Sequence, residues 1–142
     1  MTTYRNITAG LKNLWTWFPV IWQDRQFDDG YFYAVIYKKL CLMEKHFQSK
    51  HCWAWVGMEK DLRKLRVCRI LAGRLKDDVY FDMAHKDILF LYQDDMFNFF
   101  KQNAPEWKWQ IKRAIELEKY LQRQDIEYLF KLLSKHVTKW WD

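Results

Sequence analysis

The stretch MEKDLRKLRVCRILAGRLK, residues 58–76, decides the fold that this sequence predicts. At about 100° per residue, one set of its apolar side chains falls on a single stripe of a helix. The members of this stripe are Leu65, Cys68, Ala72 and Leu75, with Leu62 at its edge. Val67, Ile70 and Leu71 fall on other sides. Because a helix that is apolar on several sides is usually buried by several neighbours, we expect residues 58–76 to form the central helix of a bundle.

Two arginines of this stretch, Arg66 and Arg69, lie three residues apart and therefore face the same way. They lie between apolar positions, where an unpaired charge is very costly, so they need carboxylates or a ligand anion. Glu44 and the aspartates after residue 76 are the intramolecular candidates nearest in sequence. In the ligand hypothesis, Arg66, Arg69 and Arg63 bind an anionic group such as a nucleotide phosphate. The sequence leaves both alternatives open.

Length and composition predict one all-α domain over residues 1–142. The chain has 142 residues, of which half are hydrophobic and 19% aromatic, but only four Gly and two Pro. All-β folds use Gly and Pro in their many turns, so this scarcity favours long helices with few connections. We therefore predict a single-domain bundle of about six helices.

The expected helix boundaries follow from caps, prolines and apolar stripes. We expect a first helix from about Ala9, capped by Thr8 and interrupted at Pro19, and a second from about Gly30 to Gln48, with a stripe of Ile36, Leu40, Met43 and Phe47. After the central helix we expect a helical region that follows Lys76 and breaks near His85. A helix from Pro105 to about Leu121 and a last helix from Ile126, capped by Asp125, to Trp140 should complete the bundle. Stripe positions of the last helix, including Leu129, Phe130, Leu133 and Trp140, should belong to the core.

Charge is distributed unevenly along the chain, which carries a net charge of +6. Residues 58–76 contain seven Lys and Arg against two acidic residues, a net charge of +5. Residues 77–95 contain six Asp against one Lys, a net charge of −5. Such segments can neutralise each other within the fold or across a dimer, so we predict self-association. The alternative is a nucleic-acid surface along the basic face from Lys60 through Arg63 and Lys64 to Arg74.

The sequence favours a reduced, cytoplasmic protein without a cofactor. Three cysteines are an odd number, and no apolar run approaches the ~18 residues of a membrane span, so we expect no membrane partner. A zinc site is disfavoured because no Cys-x-x-Cys pair exists. Cys41 and His46, five residues apart, would also point about 140° from each other on a helix.

Asp78, Asp82 and His85 form the best candidate metal site. At spacings of four and three they would share one face if the segment is helical throughout, and this donor set suits Mg²⁺ or Mn²⁺. This is the alternative hypothesis of a metal-dependent nucleotide hydrolase. All-helical nucleotide pyrophosphohydrolases instead use Glu-rich clusters on two helices, and here only Glu44 could assist. We therefore prefer the interpretation that the aspartates pair with the basic helix.

Among the tryptophans that are not at stripe positions, four are candidates for contact with a partner, since Trp is favoured at interfaces. They are Trp53, Trp55, Trp109 and Trp141.

Two phrases, WTWFPVIWQDRQFDDGYFY at residues 15–33 and IEYLFKLLSKHVTKWWD at residues 126–142, together with the basic central helix, resemble small accessory proteins of tailed bacteriophages. The resemblance implies an accessory role in the cytoplasm of an infected bacterium and carries over no catalytic residue. It implies a non-catalytic protein that binds a host protein or sequesters an anionic nucleotide.

Overall fold

The computed structural model describes residues 2–23, 29–49, 56–91 and 105–140. Within these ranges the chain contains α-helices and one short 3-10 helix, and no strand. The helices are α1 (Thr2–Trp22), α2 (Asp29–Phe47), α3 (Met58–Lys76), α4 (Tyr80–Leu91) and α5 (Pro105–His136), followed by the 3-10 helix Thr138–Trp140. The all-α prediction is confirmed, but these ranges hold five α-helices where about six were expected.

The helix α3 lies between α2 and α5, and α4 packs against α5. The predicted α3 stripe is fully inside the core, with Leu65, Cys68 and Ala72 completely buried and Leu75 nearly so. Burial raises the pKa of the Cys68 thiol to about 11, so this thiol stays protonated at neutral pH. The α3 helix is therefore buried on the two sides that face α2 and α5, and its third side is open to solvent.

The contact between α2 and α3 uses the stripe predicted for α2. Leu40, Met43 and Phe47 are buried in the same core cluster as the α3 stripe. Gly73 of α3 faces Tyr37 of α2 so closely that a Cβ atom at position 73 would lie 3.2 Å from Cε2 of the tyrosine ring. The glycine therefore lets this ring pack directly on the α3 backbone.

The two helices expected after Pro105 are one helix of 32 residues. The predicted break before Asp125 is wrong, because this residue lies inside α5 and is only 8% exposed. Its carboxylate bonds to a side chain of another helix and does not cap the helix that follows it. A tertiary partner thus outweighs the local capping preference of aspartate.

The chain between α3 and α4 turns at residues 77–79 and not near His85, where a break was expected. Asp78 has a positive φ of 44°, a conformation that aspartate tolerates better than most residues. The α4 helix then runs through His85 to Leu91.

The first helix begins at Thr2, earlier than the expected start near Ala9, and continues through Pro19. Thr8 is inside the helix, where its hydroxyl donates to the carbonyl oxygen of Tyr4 at 3.1 Å and is not a cap. Pro19 lies in the last turn and removes only the hydrogen bond to the carbonyl of Trp15, whose residue is 81% exposed, so water can satisfy that oxygen. No described helix, α1 included, is long and apolar enough to cross a membrane.

Two aromatic residues of the last predicted stripe have different environments. Trp140 is buried, as expected, against the core cluster. Phe130 is 40% exposed and stacks on Phe32 of α2, with ring centroids 6.3 Å apart. Leu129 is completely buried, so the core side of α5 runs through position 129 and leaves Phe130 at its edge.

A buried polar contact joins α3, α4 and α5. The hydroxyl of Tyr80, a completely buried residue, donates a hydrogen bond to Oδ2 of Asp125 at 2.8 Å. Nε of Arg74 lies 3.3 Å from the same oxygen, and its guanidinium group is 5.8 Å from the centre of the Tyr80 ring. Arg74, which the sequence placed on the basic face proposed for nucleic acid, therefore pairs with a buried carboxylate. Burial and then the hydrogen bond to Asp125 raise the pKa of the Tyr80 phenol, and Arg74 opposes this only in part.

Replacement of Tyr80 by Phe should change how stability depends on alkaline pH. In the unfolded chain a tyrosine loses its proton near pH 10, whereas folded Tyr80 retains it because its pKa is raised. Its contribution is therefore fully present below about pH 10 and is lost as the pH rises further. At pH 8, Tyr80→Phe should lower the free energy of unfolding by about 1–3 kcal/mol, because Asp125 loses a donor. Above pH 10, the gap between wild type and variant should narrow.

The measurement is urea unfolding at pH 8 and at pH 10.5, with Tyr120→Phe as the control. This control removes the same hydroxyl from a residue that is 61% exposed. A constant gap between wild type and Tyr80→Phe at both pH values would contradict the proposed linkage.

Candidate functional site

The two arginines that the sequence singles out are both bound to Glu44 of α2. Nε of Arg66 lies 2.8 Å from Oε1 of this glutamate, and Nε of Arg69 lies 2.7 Å from Oε2. The first contact is a directed hydrogen bond, whereas the Nε–H of Arg69 is not aligned with its oxygen, so the second is an ion pair. One carboxylate thus bridges two guanidinium groups three residues apart on α3.

Helix geometry explains why Glu44 reaches both arginines. It lies one turn after Leu40 and next to Met43, so the α2 stripe that packs on α3 also brings the carboxylate to the edge of this interface. The Glu44 side chain is only 14% exposed, whereas those of Arg66 and Arg69 are 45% and 31% exposed. Burial lowers the pKa of Arg69, but Glu44 and then Tyr37 raise it by more, so its pKa is raised overall.

The charge of this cluster is not balanced, since two guanidinium groups share one carboxylate. Arg63, the third residue of the predicted anion site, pairs with Glu59 at 3.6 Å, but both side chains are more than 70% exposed. Exposed ion pairs of this kind are weak, so Arg63 can release Glu59 readily. The solvent side of the cluster therefore retains positive charge.

The open side of α3 alternates cationic and aliphatic side chains, and we call it the α3 surface. It consists of Lys60, Arg63, Arg66, Val67 and Ile70, all exposed. Ile70 is 52% exposed one turn after Arg66, and Val67 is 36% exposed one turn after Arg63. The α3 surface shares only Lys60 and Arg63 with the basic face proposed for nucleic acid. Its exposed aliphatic groups, and the pairing of Arg66 with Glu44, distinguish it from a simple phosphate-binding stripe.

The candidate metal residues do not form the shared face that the hypothesis requires. Asp78 lies in the turn before α4, whereas Asp82 and His85 lie within α4. His85 is 8% exposed, and its Nδ1 atom is 2.9 Å from the carbonyl oxygen of Phe81 and 3.8 Å from Glu118. Among the residues that the structure describes, no three His, Cys, Asp or Glu come together in a way that could hold a metal ion.

A cleft of about 410 Å³ lies where the end of α1 meets α2 and the end of α3. Its lining includes Tyr31, Tyr37, Lys38 and Lys76, together with apolar and small residues. The ammonium group of Lys76 lies 5.5 Å from the centre of the Tyr37 ring and also contacts Asp77. Sequence reasoning missed this cleft because its lysines and tyrosines come from separate helices and form no motif.

The predicted interface tryptophans fall into two groups. Trp109 on α5 is 61% exposed, and the guanidinium carbon of Arg113 lies 5.4 Å from its ring centre. Trp53, Trp55 and Trp141 lie outside the described residues.

Within the described residues, many of the exposed large apolar side chains are on α1, where the sequence predicted only part of a helix. Large apolar residues with exposures of 46–81% line one side of α1. They are Tyr4, Ile7, Leu11, Leu14, Trp15, Phe18, Ile21 and Trp22. The regular spacing of these residues indicates an apolar stripe in the sequence, but the expected start of the helix near Ala9 excluded Tyr4 and Ile7.

No protein family, no curated protein and no solved structure matches this chain. The proposals that follow therefore depend on the geometry of its own residues.

Replacement of Glu44 by Gln should destabilise the fold, because it leaves two neighbouring guanidinium groups without their carboxylate. We expect a loss of about 1–3 kcal/mol in the free energy of unfolding, between the values typical of exposed and of fully buried pairs. Urea unfolding at pH 7 measures this loss. Glu59→Gln is the matched control, since it breaks an exposed pair with Arg63 and should change stability by less than about 0.5 kcal/mol. Equal effects of the two substitutions would show that the Glu44 bridge does not stabilise the fold.

Proposed function

We propose that this chain is a non-catalytic binding protein and that it binds another protein at the α3 surface. The observation that carries the proposal is the unbalanced cluster, in which Arg66 and Arg69 share Glu44 beside the exposed side chain of Ile70. The bridge holds Arg66 in one place, so little of its side-chain entropy remains to be lost on binding. A fixed arginine next to an aliphatic group is typical of the residues that dominate protein interfaces.

The chemistry of the α3 surface favours a protein over a nucleotide as the ligand. A phosphate would have to compete with Glu44, whose carboxylate already occupies the Nε side of both guanidinium groups. A protein can instead place carboxylates on the free side of Arg66 and on Arg63, and apolar side chains on Ile70 and Val67. The expected partner surface is therefore acidic, with an apolar centre. In the phage setting that the sequence resemblance implies, this partner is a host protein.

The test is native mass spectrometry of tagged protein purified from infected cells, comparing wild type with Ile70→Asp. The charge should repel an acidic partner and leave an apolar contact unfilled, so we expect the co-purified protein to be lost. Ile115→Asp is the matched control, because Ile115 is an exposed isoleucine of α5 at 39% exposure. Retention of the same partner by Ile70→Asp and by the control would contradict a role for the α3 surface.

A nucleotide is the second candidate ligand, and the cleft where the end of α1 meets α2 and the end of α3 is the observation that favours it. Its volume of about 410 Å³ lies within the ~300–1,000 Å³ usual for small-molecule sites. Tyr31 and Tyr37 offer rings on which a base can stack, and Lys38 and Lys76 offer charges for phosphate. This site would take an anionic nucleotide without disturbing the Glu44 bridge.

A thermal-shift series with nucleoside mono- and triphosphates and cyclic dinucleotides tests the second candidate. A ligand at 100 times its dissociation constant should stabilise the fold by about 2.7 kcal/mol, which is a shift of several degrees. Lys38→Gln should abolish this shift, whereas Lys12→Gln, a matched change on the exposed side of α1, should preserve it. A flat response across the panel would eliminate the cleft as a nucleotide site.

A further inference from the structure

The apolar side of α1 faces away from the other helices that the structure describes. Among the α1 side chains that the structure describes, those that are half-buried are Thr16, Trp17 and Val20, in the half of the helix that approaches α2. At about 100° per residue, Thr16 and Val20 lie on the side of the helix opposite the stripe of exposed apolar residues, and Trp17 lies between Val20 and Ile21 around the helix. The folded chain therefore leaves the most hydrophobic side of its first helix uncovered in the described residues.

The spacing of this stripe is that of a helix that pairs with another helix. Its six central members, which we call the α1 seam, are Tyr4, Ile7, Leu11, Leu14, Phe18 and Ile21. Successive members are three, four, three, four and three residues apart. This alternation places apolar residues every 3.5 residues on average, as in the a and d positions of a coiled coil. Trp15 and Trp22, seven residues apart, lie together on one flank of the seam.

We propose that the α1 seam packs against the α1 seam of a second copy of this chain. A helix of 21 residues is ~31 Å long, enough for three layers of a and d contacts. The aromatic and aliphatic residues of the stripe, at exposures of 46–81%, present roughly 900 Å² per copy, taking about 200 Å² for each aromatic ring. Burial of two thirds of this area in both copies reaches the ~1,200 Å² at which specific interfaces begin.

The charges of α1 are consistent with a second copy and less so with a lipid surface. Arg5 and Lys12 are its only charged residues, and both lie off the seam on the far side of the helix. In a pair of helices they remain in solvent, so like charges are not forced together. Helices that lie on membranes usually carry a polar face rich in Lys and Arg, whereas α1 carries only these two cations over its 21 residues.

The experiment is sedimentation equilibrium of the full chain from 1 to 100 μM, with two double variants. Leu11→Glu/Leu14→Glu places two charges in the seam and should raise the dissociation constant of the dimer at least about 100-fold. Asn6→Glu/Asn13→Glu adds the same two charges to exposed positions of α1 outside the seam and should leave the dimer intact. Far-UV circular dichroism of each variant reports whether the helices remain.

A second measurement does not depend on the folding of any variant. Wild-type protein labelled with ¹⁵N is mixed with unlabelled protein, cross-linked through lysine and analysed by mass spectrometry. Links between Lys12 of a labelled chain and α1 or its neighbours in an unlabelled chain support the proposal. A wild-type monomer at 100 μM overturns it, as does a dimer that survives both glutamates in the seam. A monomer that sediments with vesicles of phosphatidylcholine and phosphatidylglycerol, and loses this property in the seam variant, also overturns it and assigns α1 to a lipid surface.

Discussion

The structure depends on burying α3, a helix that is strongly basic, between two other helices. Apolar burial supplies the driving force through the stripe from Leu65 to Leu75. Because apolar contacts are non-directional, they do not by themselves fix the position of one helix along the axis of another. Each flanking helix therefore contributes a carboxylate that fixes an arginine of α3. Glu44 of α2 holds Arg66 and Arg69, and Asp125 of α5 holds Arg74. We interpret these contacts as the directional part of the packing, which a purely apolar interface would lack.

This arrangement explains which parts of the fold could be predicted from the sequence. The α2 and α3 helices are found within one residue of their expected ends, because each has an apolar stripe with a regular period. Asp125 was misassigned because a local capping rule and a tertiary ion pair favour the same residue type, and only the fold decides between them. The turn at Asp78 was missed for a different reason. A positive φ is a property of the backbone path, and it leaves no periodic signal in the sequence.

The candidate sites were predictable to different degrees. The sequence offered Glu44 as a partner of Arg66 and Arg69, together with the aspartates after residue 76, and could not choose between them. A single glutamate binds both arginines because of the register of α2 against α3. No pattern in the sequence predicts this register. The cleft between α1 and α2 could not be predicted at all, since Lys38 and Lys76 are 38 positions apart and meet only in the folded chain.

Among the described residues, part of the aromatic surplus is buried in the core and part is concentrated on one helix. Tyr80 and Trp140 belong to the core, whereas Tyr4, Trp15 and Trp22 are concentrated on the open side of α1. If α1 pairs with a second copy, these rings become the centre of an assembly that carries two α3 surfaces. Each α3 surface is small and partly neutralised by Glu44, so it would bind one partner weakly. Joining two such surfaces raises the effective concentration of the second after the first has bound, so a modest surface gains avidity without any new contact. In that case the apolar face of α1 contributes to partner binding from a distance, through the number of α3 surfaces that it brings together.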